Sequence, residues 1–129
     1  MSLTRYTLAG LAVALVGAAA RDARADDLTI STATTTPVST SNAANSSAGN
    51  ITITNAGSIT ITAGQTAVTV DSDHDVSNAG TISSNDADNV IGILLQGGFA
   101  GPLTITNGGS INLRESYTQT DTDSDGNLD

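Results

Sequence analysis

The chain has 129 residues and a formal charge of -9, with no cysteine and no tryptophan, which limits it to one small domain without disulfide staples. From Asp26 onward twelve acids stand against Arg114 alone, a net of -11 that repels phosphate backbones and excludes nucleic acid as a partner. Only Phe99 and Tyr117 are aromatic after the first 25 positions, so a core of large rings is excluded and small β-branched residues must supply the packing.

Residues 1–25 read as a secretory signal peptide, a signal helix that is cleaved off. Arg5 supplies the positive start, and Leu8 to Ala20 is a short apolar run of Leu, Ala, Val and Gly. Ala23-Arg24-Ala25 has the small-x-small form that a signal peptidase accepts, with Ala18-Ala19-Ala20 as a second site. Cleavage after Ala25 is expected. A membrane anchor is the competing reading, but a helix over that run spans only about 20 Å against a hydrocarbon core of about 30 Å. Residues 26–50, rich in Thr, Ser, Ala and Asn with Pro37, are expected to form an irregular first coil or a loose cap.

Over residues 51–113 one short phrase returns three times: Asn55-Ala56-Gly57-Ser58-Ile59, Asn78-Ala79-Gly80-Thr81-Ile82 and Asn107-Gly108-Gly109-Ser110-Ile111. The separations, 78 - 55 = 23 and 107 - 78 = 29, are those of a repeat architecture. Ile51-Thr52-Ile53-Thr54 precedes the first copy and Leu103-Thr104-Ile105-Thr106 the third. Each unit therefore reads as strand, Asn-x-Gly corner, strand. Apolar and hydroxyl side chains alternate with period two, which gives each strand one dry face. Asn55 and Gly57 are expected to turn the corner through left-handed backbone. Antiparallel hairpins also use Asn and Gly between alternating strands, but hairpins need no repeat near 23 residues. The reading is all-β: a right-handed parallel β-helix, or solenoid, of three to five short coils.

The expected inward stack is Ile51, Ile53, Ile59, Ile61, Val68, Val70, Val76, Ile82, Ile91, Ile93, Leu95, Leu103, Ile105, Ile111 and Leu113. Asn55, Asn78 and Asn107 either align as a ladder of amides at one corner or are three turn asparagines facing solvent. Solenoids expose an apolar, unpaired edge unless a capping unit covers it, and no cap is apparent toward Asp121. A truncated N-terminal piece of a longer protein is expected.

Residues 114–129 form an acidic segment that resembles a calcium loop: Asp121-Thr122-Asp123-Ser124-Asp125-Gly126-Asn127-Leu128-Asp129 follows D-x-D-x-D-G. Carboxylates spaced two apart on a tight turn can converge on one hard cation, so Asp121, Asp123, Asp125, Asn127 and Asp129 are the candidate Ca2+ ligands. The bidentate Glu of the twelfth position would fall at residue 132, so weak binding is expected; a solvated acidic tail is the plain alternative. Asp71, Asp73, His74 and Asp75 form a second acidic cluster, short of the three well-placed ligands zinc favours, and an exposed corner loop is the expected outcome. Asp86 and Asp88 read the same way.

No enzyme is expected. A phosphate loop, a Cys nucleophile and a Ser-His-Asp context are all missing from the sequence, and Gly97-Gly98-Phe99-Ala100-Gly101 is a turn by composition. The corner phrases, the Ile-Thr-Ile-Thr strand before them and the Ala-x-Ala leader together resemble the passenger region of Gram-negative autotransporters over roughly residues 1–113. That resemblance implies export through the inner membrane and display at the cell surface or outer membrane, or release outside the cell. It implies a C-terminal outer-membrane barrel in the full-length protein, which this sequence lacks, and a structural or adhesive role toward a ligand on a host or neighbouring cell. A carbohydrate-active β-helix enzyme fragment and a calcium-stabilised structural surface protein are the alternative functions.

Overall fold

The computed structural model describes residues 25–115, together with Ser124 and Gly126. Eleven short strands run through them: β1 (Leu28–Ile30), β2 (Ala33–Thr34), β3 (Val38–Ser39), β4 (Ile51–Ile53), β5 (Ser58–Ile61), β6 (Thr66–Val70), β7 (Val76–Asn78), β8 (Thr81–Ser84), β9 (Ile91–Leu95), β10 (Ile105–Asn107) and β11 (Ser110–Asn112). They form three sheets, ordered β1-β4-β7-β10, β2-β5-β8-β11 and β3-β6-β9. Every strand pair is parallel. The described residues form a β-solenoid of three turns and the first two strands of a fourth.

Along the first sheet Leu28 pairs with Ile51, Ile51 with Val76 and Val76 with Ile105. The turns therefore advance by 51 - 28 = 23, 76 - 51 = 25 and 105 - 76 = 29 residues. Residues 26–50 carry β1, β2 and β3 and so make the first turn; the stretch after them is irregular, with a 3-10 turn at Thr40–Asn42.

Alternation of apolar and hydroxyl residues produces the dry interior. In β4 and β5, Ile51, Ile53, Ile59 and Ile61 are sealed while Thr52 and Thr60 face out. Val68, Val70, Val76 and Ile82 complete the stack. Each fully buried Ile or Val contributes about 1.5–3 kcal/mol by leaving water.

The expected inward stack holds through Ile82 and changes beyond it. Ile93 and Leu103 are half-buried against the core, but Ile91, Leu95, Ile105, Ile111 and Leu113 are exposed. The register explains the difference. Ile105 and Ile111 occupy the same columns as buried Val76 and Ile82, and Leu95 that of Val70, but among the described residues they lie on edge strands with a turn on one side only. Ile30 at the opposite end is only 8% exposed, and Ala43 from the irregular stretch joins the core there at 7%. The two ends of the rod are unlike.

Candidate functional site

Three features join successive turns at the corners: a stack of glycines with an asparagine pair, a column of Asp and Asn side chains, and a junction at Thr40 and Asp71. The first lies where the repeated phrase turns. Ser58, Thr81 and Ser110 are in register, so Gly57, Gly80 and Gly109 stack directly before them. A Cβ on Gly57 would collide with the Ile30 carbonyl, one on Gly80 with the carbonyls of Gly57 and Thr54, and one on Gly109 with the Gly80 carbonyl. None of the three has positive φ. This corrects the expected cause: the glycines serve close approach between turns, and left-handed backbone is found instead at Asn45, Ser46, Gly64, Asp86, Asn89 and Gly98.

The asparagines of the phrase behave unequally. Asn78 is sealed and donates from Nδ2 to Asn107 Oδ1 at 2.7 Å, while its own Oδ1 accepts from the Gly80 amide at 3.1 Å. Asn55 does not join them. The register puts Ile53 beneath Asn78, and the 51–58 segment is two residues longer than 76–81, so Asn55 bulges outward and is exposed. The ladder has two rungs, Asn78 and Asn107.

A second column immediately precedes the first sheet and was not anticipated. The Asn50 amide donates to Asp27 Oδ1 at 2.9 Å, the Asp75 amide to Asn50 Oδ1 at 2.8 Å, and the Thr104 amide to Asp75 Oδ1 at 2.6 Å. Each side chain satisfies the backbone of the turn above it, replacing a ladder bond where the chain rounds a corner.

The third feature joins the first turn to the second. Thr40 is fully buried; its hydroxyl accepts from the amides of Asp71 at 3.0 Å and Ser72 at 3.1 Å and donates to Asp71 Oδ1 at 3.2 Å. Ser41 adds its amide and its hydroxyl to the same carboxylate, each at 2.7 Å. Partial burial pushes the Asp71 pKa up, but the hydrogen bonds from Ser41, from Thr40 and from its own backbone outweigh it, and the net shift is downward.

The sequence cluster at 71–75 is therefore dispersed in purpose. Asp71 holds Ser41, Asp73 accepts from the Ala100 amide at 3.1 Å, and Asp75 holds Thr104, while His74 Nδ1 bonds the Ser72 hydroxyl at 3.0 Å. Among the described residues no group of three His, Cys, Asp or Glu side chains converges as a metal site. Asp86 and Asn89 turn the chain with positive φ beside a shallow hollow lined by Ala87, Asn89, Val90, Leu113, Arg114 and Glu115. The Asp88 carbonyl accepts from the Gly64 amide. The candidate Ca2+ ligands Asp121, Asp123, Asp125, Asn127 and Asp129 lie outside the described residues, as does the leader to Arg24.

Among the described residues, the corner loops at 71–75 and 86–89 carry exposed acidic residues, and β10 and β11 carry the exposed aliphatics Ile105 and Ile111. Comparison of the chain with protein-family models, with curated proteins and with solved structures gave no match.

Proposed function

We propose that this chain is an exported β-helical module of the autotransporter-passenger kind, displayed at the cell surface or released outside the cell. It serves as a rigid structural and adhesive element without catalysis. The supporting observation is the continuous stacking of its turns, in which strand ladders and side-chain columns run the same way along one axis. Such a stack transmits position without hinges, which is what a spacer holding contact loops away from a membrane requires. The loops at 71–75 and 86–89 sit on its flanks as the contact elements, and their acidity favours a cationic or neutral ligand on the opposing cell.

The reading is tested by expressing the full chain, followed by an outer-membrane barrel, in a Gram-negative host. The mature product is expected to begin at Asp26 and to be reached by protease added to intact cells. Retention of Met1 on a product shielded inside the cell sinks the proposal.

A further inference from the structure

The outer edge of β10 and β11, the last strands among the described residues, carries a recognition pattern that can be read from the turns beneath it. β9, β10 and β11 are the last strands of the three sheets, and among the described residues nothing pairs with their outer sides. Columns closed one turn below are open here: Val76 and Ile82 are 1% and 0% exposed, whereas Ile105 and Ile111 above them are each 38% exposed. Backbone groups on such an edge are a template for another strand.

Three positions say what that strand must bring. Asn107 Oδ1 takes the bond from Asn78 Nδ2, so Asn107 Nδ2 is the donor for the next rung. Gly109 stacks on the Gly80 carbonyl as Gly80 does on that of Gly57, so the residue above Gly109 must also lack a Cβ. Ile105 and Ile111 need aliphatic partners in register, as Val76 and Ile82 are to them.

We propose that this edge docks a strand-corner-strand polypeptide segment of the form aliphatic-x-Asn-x-Gly-Ser/Thr-Ile, added as one further parallel rung by β-augmentation. The chain's own first turn does not meet the pattern. Ala33 pairs with Ser58, which places Thr32 where the other turns have glycine, and Ile30 pairs with Ile53, which places Ile30 where the ladder needs asparagine. Head-to-tail stacking of copies would drive the Thr32 Cβ into the Gly109 carbonyl, so the edge selects a segment with the corner pattern over a second copy's base. This inference stands on the edge geometry and is independent of surface display.

The probe is a synthetic peptide of the sequence Asp75 to Ser84, titrated into the isotope-labelled full chain and followed by NMR. Saturable shifts are expected at the Asn107 side-chain amide and at the backbone of Gly109 and Ile111. The same peptide carrying Gly80→Ala should bind at least about tenfold more weakly, equivalent to about 1.4 kcal/mol. The peptide variants leave the protein unchanged, so a failure to bind cannot come from misfolding. Absence of shifts at millimolar peptide, equal binding of the alanine variant, or an edge already protected by the chain's own residues after Glu115 would each overturn the proposal.

Discussion

At the Gly57, Gly80 and Gly109 corner the spacing between turns is set by what is missing from each residue. Gly80→Ala would place a Cβ against the carbonyls of Gly57 and Thr54, both backbone atoms that cannot swing aside. The expected cost is about 1–3 kcal/mol, in the range of overpacking within a closed structure. Gly108, one residue before Gly109, is the control: its nearest neighbour would be the Asn78 carbonyl at 4.0 Å, so Gly108→Ala should cost well under about 1 kcal/mol. Urea unfolding of the two variants separates them, and equal losses would refute the close-approach account. Asp71 makes a second residue-scale case. Its pKa is lowered in the folded chain by Ser41 and Thr40 acting against burial, so the ionised form is the one the fold favours. Its contribution is fully present above the unfolded value of about 3.9 and is lost as pH falls through the lower folded value. Melting temperature should therefore be lower in Asp71→Asn than in the unaltered chain at neutral pH, and the unaltered chain should lose that advantage below about pH 4, where the variant shows the shallower drop. Identical acid limbs would mean that these bonds contribute nothing.

Between residues and molecule, the unit that matters is the corner, because the strands are too short to hold the turns together alone. The column of Asp27, Asn50 and Asp75 gives each following turn one side-chain acceptor for a corner amide. Asn50→Ala strips the Asp75 amide of its partner and should cost about 1 kcal/mol, whereas Asp75→Asn keeps an Oδ1 for Thr104 and should be near neutral. Denaturant midpoints decide this; a neutral Asn50→Ala would show that water serves the amide equally well. The strands around the repeated phrase and the glycine corners were legible in the sequence, because Ile-Thr-Ile alternation and a repeated Asn-x-Gly phrase carry their own periods, whereas β1, β2 and β3 lie in a Thr-, Ser- and Ala-rich stretch without that phrase. The second column was not. Its members are Asp, Asn, Asp and then Thr, at spacings of 23, 25 and 29 that follow the drifting turn length, so no phrase repeats. The same drift hid the fate of Asn55: the glycines keep the 23-residue step while the strand before them steps by 25, and the two surplus residues push Asn55 out of the ladder. For the same reason Asp71, Asp73 and Asp75 looked like a cluster in sequence, although each serves a different neighbouring segment.

For the molecule as a whole, the stability of a stack is a sum over turns and the contacts between them, so it need not be uniform along the axis. The second turn, with β7 and β8 of the third, has neighbours on both sides and holds the sealed residues Ile51, Ile53, Ile59, Ile61 and Ile82. In the first turn and the stretch after it Ile30 and Ala43 belong to the buried core, while at the other end Ile105, Ile111, Leu113 and Leu95 keep 38 to 54% of their surface in water. Fraying should therefore begin at β10 and β11 and proceed toward β1, with the first turn outlasting the fourth although, among the described residues, each has a neighbouring turn on one side only. Native-state hydrogen exchange reads this directly. Amides in β4, β5, β7 and β8 should exchange only through global opening. Those of β10 and β11 should open locally with a free energy about 2–3 kcal/mol lower, which is roughly a hundredfold faster. Equal protection from β1 to β11 would mean that the solenoid opens as one cooperative unit, and preferential opening of β1 to β3 would mean that Ala43 and the Thr40-Asp71 network fail as a cap. The same asymmetry gives the open edge its significance: a strand added over Ile105 and Ile111 would join the least stable part of the rod, and should slow exchange in β10 and β11 most.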